Sequence, residues 1–134
     1  MSPKNAPKAP LTVLVVDDDA PIRIVERRIL EEVQYEVIEA CNGLEAVELL
    51  ERGTALSLLI ADLDMPELAG DEMVRRIRAM RPDLKVLYVT GHIDRLMDAR
   101  PLWEGEAFLE KPFNATGLRE AVSLLLHGSL NKND

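Results

Sequence analysis

Five polar residues stand where apolar runs of the chain end: Asp17, Asp18, Asp62, Thr90 and Lys111. Asp17 and Asp18 close the run LTVLVV (11–16), and Asp62 closes LSLLIA (56–61). Thr90 closes Leu84–Val89, and Lys111 stands just beyond Glu106–Leu109. Three carboxylates brought together repel one another and resist ionisation. A hard divalent cation such as Mg²⁺, which prefers carboxylate and carbonyl oxygens, relieves that repulsion. A carboxylate, a cation, a lysine and a hydroxyl form a phosphoryl-transfer set. In such a set Asp62 is the nucleophile and gives an acyl phosphate. Lys111 and the cation neutralise the phosphoryl oxygens, and Thr90 hydrogen-bonds one of them. Singly, each residue has an ordinary explanation: a helix N-cap for the Asp17–Asp19 triplet, a loop acid, a strand threonine, a surface lysine. Their recurrence at the ends of four separate apolar runs favours the joint one.

Short, wholly apolar runs are what strands buried on both faces look like. Strands are predicted at Leu11–Val16, Tyr35–Ala40, Leu56–Ala61, Leu84–Val89 and Glu106–Leu109. Helices are predicted at Ala20–Glu32, Leu44–Arg52, Asp71–Met80 and Asn114–His127, with a short one near Ile93–Arg100. Pro21 suits a first helical turn. Ile22, Val25 and Ile29 make an apolar stripe on the first helix. Val47 and Leu50 point inward from the second. On the third, Met73, Val74, Ile77 and Met80 share one side, and Arg75, Arg76 and Arg78 are assigned to solvent. Leu118, Ala121, Val122 and Leu125 stripe the last helix. Alternating strands and helices imply a doubly wound α/β fold: a five-stranded parallel sheet with helices on both faces. In such a sheet every strand ends on one edge, and that edge is where open α/β folds bind ligands.

The 134 residues suffice for one domain. It is expected over residues 11–127, between a flexible N-terminal tail (1–10) and a polar C-terminal tail (128–134). A formal net charge of −8 argues against a nucleic-acid surface and an anionic membrane surface. The single cysteine, Cys41, excludes an intramolecular disulfide. No apolar run approaches the ~18–20 residues of a membrane span, and MSPKNAPKAP lacks a signal-peptide core. The expected location is the cytoplasm.

In combination, the motifs resemble a response-regulator receiver domain of two-component signalling. VLVVDDD (13–19) followed by Arg23, ACNGLEAVELL (40–50), LLIADLDMP (58–66) with Gly70, YVTG (88–91) and FLEKPF (108–113) carry the resemblance. It implies a flavodoxin-like, CheY-like sheet of order 2-1-3-4-5, and a signalling domain rather than an enzyme. It implies that Asp62 is phosphorylated by a histidine kinase or phosphotransfer protein. It implies that Asp18, Asp62 and the backbone carbonyl of Asp64 ligate Mg²⁺ (or Mn²⁺), with Asp17 acting through water. Thr90 and Lys111 would bind the phosphoryl group, the Lys111–Pro112 bond would be cis, and Phe108 would be the aromatic switch partner of Thr90. An unidentified output protein would meet the face made by the short fourth helix, the fifth strand and the last helix.

Departures from the family pattern are local. Gly91 stands where alanine is frequent, which is expected to loosen the loop and open the pocket. Asp64 and His92 occupy two variable positions that tune phosphorylation and hydrolysis in the family, and an Asp facing a His could pair or orient water. Pro101 and Trp103 are unlike a long regular fourth helix, and Trp103 is expected at a core edge. The chain reads as a stand-alone receiver or one cut from a larger protein such as a hybrid kinase. The competing reading is a haloacid-dehalogenase-like phosphatase using Asp62 and Asp64, for which the chain is short and the acidic pair on the first strand has no use.

Overall fold

Five strands form one parallel sheet: β1 (Thr12–Val16), β2 (Glu36–Ala40), β3 (Leu58–Asp62), β4 (Lys85–Thr90) and β5 (Glu106–Glu110). Their order is β2-β1-β3-β4-β5, as the resemblance implied. The computed structural model describes residues 10–64, 70–92 and 105–128. Among these lie four helices: α1 (Ala20–Glu32), α2 (Gly43–Glu51), α3 (Gly70–Met80) and α4 (Ala115–His127). The expected short helix near Ile93–Arg100, Pro66, Pro101, Trp103 and most of both tails lie outside the described residues.

The apolar strands divide their side chains between two cores, because successive residues of a strand point to opposite faces. Leu14, Val16, Leu59, Ala61, Val86 and Tyr88 pack on one face with Val47 and Leu50 of α2 and Met73, Val74 and Ile77 of α3. Val13, Val15, Leu58, Ile60, Leu87 and Val89 pack on the other with Leu30 of α1 and Leu118 and Val122 of α4. Burying one such side chain contributes roughly 1.5–3 kcal/mol, so the sheet is the rigid part of the molecule.

Local signals explain where the helices start. The Asp19 carboxylate accepts from the Ile22 N–H, and Pro21 sits in the first turn of α1. Asn42 accepts from Glu45 N–H, while the Glu45 carboxylate reaches back to Cys41 N–H, so two free donors of α2 are satisfied at once. Asn114 caps α4 through Gly117 N–H, and Gly128, at φ 73°, closes it in the left-handed region. β3 and β4 each run one residue past the predicted end, to Asp62 and Thr90. The ladder continues because Asp62 stays in register with Val89 and Leu63 N–H donates to Val89 C=O.

One apolar stripe is only partly buried, and one expectation is corrected. Of Ile22, Val25 and Ile29 on α1, Ile29 packs on the core while Val25 is 51% exposed, and the fully buried positions are Glu26 and Leu30. The helix is rotated so that its apolar surplus lies partly in water and a glutamate lies in the core. Arg78 is not a solvent residue. Its side chain is 15% exposed and bridges the fully buried Glu106 carboxylate at 3.2 Å, which also accepts from the Tyr88 hydroxyl at 2.7 Å. Glu106 sits at the start of β5 next to Val86 of β4, so its carboxylate can join α3 to that end of the sheet.

Candidate functional site

β1 and β3 are neighbours with Val16 opposite Ala61, so Asp17 and Asp62 leave the sheet side by side. Both are buried, Asp17 at 1% exposure, and Asp18 beside them is exposed. One carboxylate oxygen from each of Asp17, Asp18 and Asp62 lies within 4.8 Å of the others. Thr90 is buried at the end of β4. Lys111 follows β5, and its backbone N–H donates to the Thr90 carbonyl, which extends the ladder to the lysine. The Lys111–Pro112 bond is cis. The structure thus brings together all five residues that the sequence placed at strand ends.

The hydrogen bonds assign each oxygen. Asp62 Oδ1 accepts from Lys111 Nζ at 3.0 Å and from Asp64 N–H at 2.9 Å. Asp17 Oδ1 accepts from Asp19 N–H at 2.8 Å, while Asp17 Oδ2 is buried without a hydrogen-bond partner, 4.0 Å from Lys111 Nζ. The helix-cap explanation therefore holds for Asp19 and fails for Asp17. A buried, unpartnered carboxylate oxygen facing two more carboxylates is the donor set a hard cation requires, so the residues present fit Mg²⁺ or Mn²⁺.

Charge repulsion appears where the sequence suggested it. Burial, then the neighbouring Asp62, raises the Asp17 carboxyl to about 6, against the pull of Asp19 N–H and Lys111. Burial opposes the charge of Lys111, but its hydrogen bond to Asp62 and the carboxylates of Asp62, Asp17 and Asp64 outweigh burial and hold the ammonium above its ordinary range. Lys111 therefore stays charged at neutral pH.

Asp64 and His92 do not pair. The Asp64 carboxylate accepts from the Thr90 hydroxyl at 3.1 Å and from Gly91 N–H at 2.9 Å, and it lies 3.9 Å from Lys111 Nζ. His92 contributes its backbone instead, its N–H donating to Thr90 Oγ1 at 2.9 Å. The expected loosening at Gly91 is not borne out in the contacts: its N–H is engaged, and a Cβ there would rest 3.9 Å from Asp64 Oδ2, an ordinary contact. Phe108 on β5 is 37% exposed, on the outer face of an edge strand.

Sequence reasoning missed three supporting residues. Arg23 NH1 donates to the Asp17 carbonyl at 2.6 Å, and its Nε donates to Glu39 on β2 at 2.8 Å. Glu39 also takes Arg27, and that hydrogen bond, with the one from Arg23, keeps its carboxyl below the usual range. Glu26 is 1% exposed and both its oxygens lack partners; burial, then Asp17, pushes its carboxyl up to about 8. The signal for Glu26 was available: it stands one turn from both Ile22 and Leu30, at a position where an amphipathic helix turns inward.

Beside Lys111 an apolar groove of about 520 Å³ is lined by Pro21, Ile22 and Val25 of α1 and by Pro112 and Phe113. Ile22 and Val25 of the α1 stripe thus form one wall of this groove.

Comparisons with known proteins agree with the geometry. The family model described as response regulator receiver domain matches residues 13–123. Sensor kinase CckA of Brucella abortus is 34% identical over 117 residues, 86% of this chain but 12% of that protein. The chain thus spans about an eighth of that kinase. The response regulator receiver protein CpdR of the same organism is 32% identical across 85% of this chain and 95% of its own. The solved structure of response regulator protein TrrA from Thermotoga maritima, in complex with Mg²⁺ and BeF, superposes with a TM-score of 0.74. It is 31% identical, over 87% of this chain and 99% of that one.

Proposed function

The chain belongs to the response-regulator receiver domain family, and from that premise we propose that Asp62 is a phospho-acceptor whose occupancy switches a partner-binding face. Receiver domains of this kind are signalling domains of two-component systems, not turnover enzymes. The observation that carries the proposal is Lys111 Nζ bonded to Asp62 at 3.0 Å inside a three-carboxylate cluster. On this reading Asp62 is the nucleophile and Lys111 the cation that meets the incoming charge.

In the proposed step a free Asp62 carboxylate oxygen attacks the phosphorus of a phosphohistidine on a histidine kinase or phosphotransfer protein. The new P–O bond forms as the P–N bond breaks, and the imidazole leaves with the bonding pair and takes up a proton. Lys111 balances charge on the phosphoryl oxygens, and the Thr90 hydroxyl supplies a hydrogen bond. Asp17, Asp18 and Asp62, with the Asp64 carbonyl, would hold the divalent ion, which when bound acts as a Lewis acid toward those oxygens. Phe108 would follow Thr90 as the aromatic switch, and Asp64 and His92 would tune the rates.

The groove beside Lys111 supports a partner with an apolar surface delivering the phosphoryl group, since its apolar lining includes the lysine that bonds Asp62. An output protein would use the face around β5 and α4. The unit that acts is residues 11–127. Cytoplasmic action is part of the proposal; among the described residues no helix is long and apolar enough to cross a membrane.

Incubation with acetyl phosphate and Mg²⁺, read by intact mass and by acid-stable versus hydroxylamine-labile label, tests it. One phosphoryl group per chain is expected, lost in Asp62→Asn and on chelation. An unlabelled wild-type protein overturns the proposal.

A further inference from the structure

Asp64 lies two residues beyond Asp62, and its carboxylate is turned into the site. One oxygen accepts from the Thr90 hydroxyl, and the other accepts from Gly91 N–H and lies 3.9 Å from Lys111 Nζ. A hydroxyl, a main-chain N–H and an ammonium thus converge on the two oxygens of one small anion. These are the donors a phosphoryl group on Asp62 would need, because Lys111 is already bonded to Asp62 and its backbone is tied to that of Thr90.

We propose that Asp64 is a built-in anion that occupies the phosphoryl seat, ligating Thr90 and Gly91 until an incoming oxyanion displaces it. This rests on the phospho-acceptor reading of Asp62. The Thr90 hydroxyl is fully committed in this arrangement: it donates to Asp64 while accepting from His92 N–H. It has no hydrogen left for Asp62. Phosphorylation therefore has to expel the Asp64 carboxylate first, since the single Thr90 hydroxyl hydrogen and the Gly91 N–H cannot serve two anions at once. An exit exists, because the Asp64 side chain is 30% exposed while those of the cluster acids Asp62 and Asp17 are almost wholly buried. Asp64 then acts as a competitor within the chain, and the apparent affinity for any phosphoryl-like anion falls by the fraction of molecules whose seat is free.

Beryllofluoride with Mg²⁺, titrated into the full chain, is the probe. Wild type, Asp64→Ala and Asp64→Asn are compared at low salt and at 0.5 M salt, and hydrogen exchange at the Gly91 amide is followed without ligand. Asp64→Ala is expected to bind beryllofluoride about tenfold more tightly, with the gain persisting at 0.5 M salt, where long-range contributions of the lost charge are screened. Asp64→Asn, which keeps one acceptor oxygen, is expected to fall between. The Gly91 amide is expected to be protected in the wild type and to lose protection in Asp64→Ala. A wild type that binds beryllofluoride while Asp64→Ala gains nothing at high salt overturns the internal-anion inference alone. An unprotected Gly91 amide in the wild type does the same. A wild type that binds no beryllofluoride overturns the phospho-acceptor reading and this inference together.

Discussion

The Arg23 guanidinium holds the main-chain carbonyl of Asp17 at 2.6 Å, and is itself held by Glu39 at 2.8 Å. The acidic turn after β1 is thereby tied to β2 by a strut made of two side chains. Arg23→Ala leaves both cores untouched and frees the turn. Supporting groups of this sort are worth roughly 10- to 100-fold in metal affinity. We expect Mn²⁺ binding, followed by electron paramagnetic resonance, to weaken about tenfold. Arg23→Lys, which keeps charge but cannot bridge both partners, recovers only part of it. Unaltered Mn²⁺ affinity in Arg23→Ala would show that the turn holds its shape unaided.

Glu26 makes stability depend on pH. Its carboxyl titrates near 8 in the folded chain and near its ordinary value of 4.5 when unfolded, because burial and then Asp17 and Asp62 oppose its charge, against Lys111 and Arg23. Between those values the folded state binds more protons than the unfolded one, so stability is complete below about 4.5 and declines as pH rises toward 8. The loss is at most about 4–5 kcal/mol. Chemical denaturation of the metal-free chain should show this decline, and Glu26→Gln should flatten it between about pH 6 and 8, Asp17 contributing to the part below that. Glu26→Leu should add roughly 1–3 kcal/mol at pH 8 by removing an unpartnered buried acid. A wild-type profile flat from pH 5 to 8 would refute the assignment.

The Arg78–Glu106–Tyr88 contacts link α3, β4 and β5 away from the acidic cluster. Tyr88→Phe removes one hydrogen bond to a charged acceptor and should cost about 1.5–3 kcal/mol. Glu106→Ala leaves Arg78 short of its carboxylate in a low-dielectric site and should cost roughly 3–5 kcal/mol. Both are read from urea midpoints. Destabilisation by Tyr88→Phe that matches Glu106→Ala would mean the arginine is compensated elsewhere.

Val25 faces water beside the groove. Val25→Glu should leave labelling by acetyl phosphate unchanged, since no site group is touched. Phosphotransfer from a phosphohistidine protein should fall about tenfold if the groove seats that protein. Equal loss with both donors would assign Val25 to the chemistry instead of to docking.

The strands and the residues at their ends were legible because wholly apolar runs permit only one placement in a doubly wound sheet. Once the strands are parallel, Asp17, Asp62, Thr90 and Lys111 must share an edge. Side chains whose partners come from another element were not legible. Arg78 looks like any helix arginine until Glu106, 28 residues later, arrives beneath it. Asp64 and His92 stand out in the sequence as two variable positions that could pair or orient water, but the Asp64 carboxylate accepts from the Thr90 hydroxyl and Gly91 N–H. On α1, periodicity reports a stripe and not what covers it: Ile29 packs on the core, while Ile22 and Val25 line the groove.

The acidic cluster and its lysine are drawn from β1, β3 and the end of β5, separated by whole helices along the chain. Parallel neighbours pair only after a crossover has closed, so the site is complete only when the sheet runs from β1 to β5. Ligand capacity appears in the same cooperative event that completes the sheet. An ion or oxyanion that binds there reinforces every strand at once by mass action, and the melting temperature becomes a gauge of how full the site is.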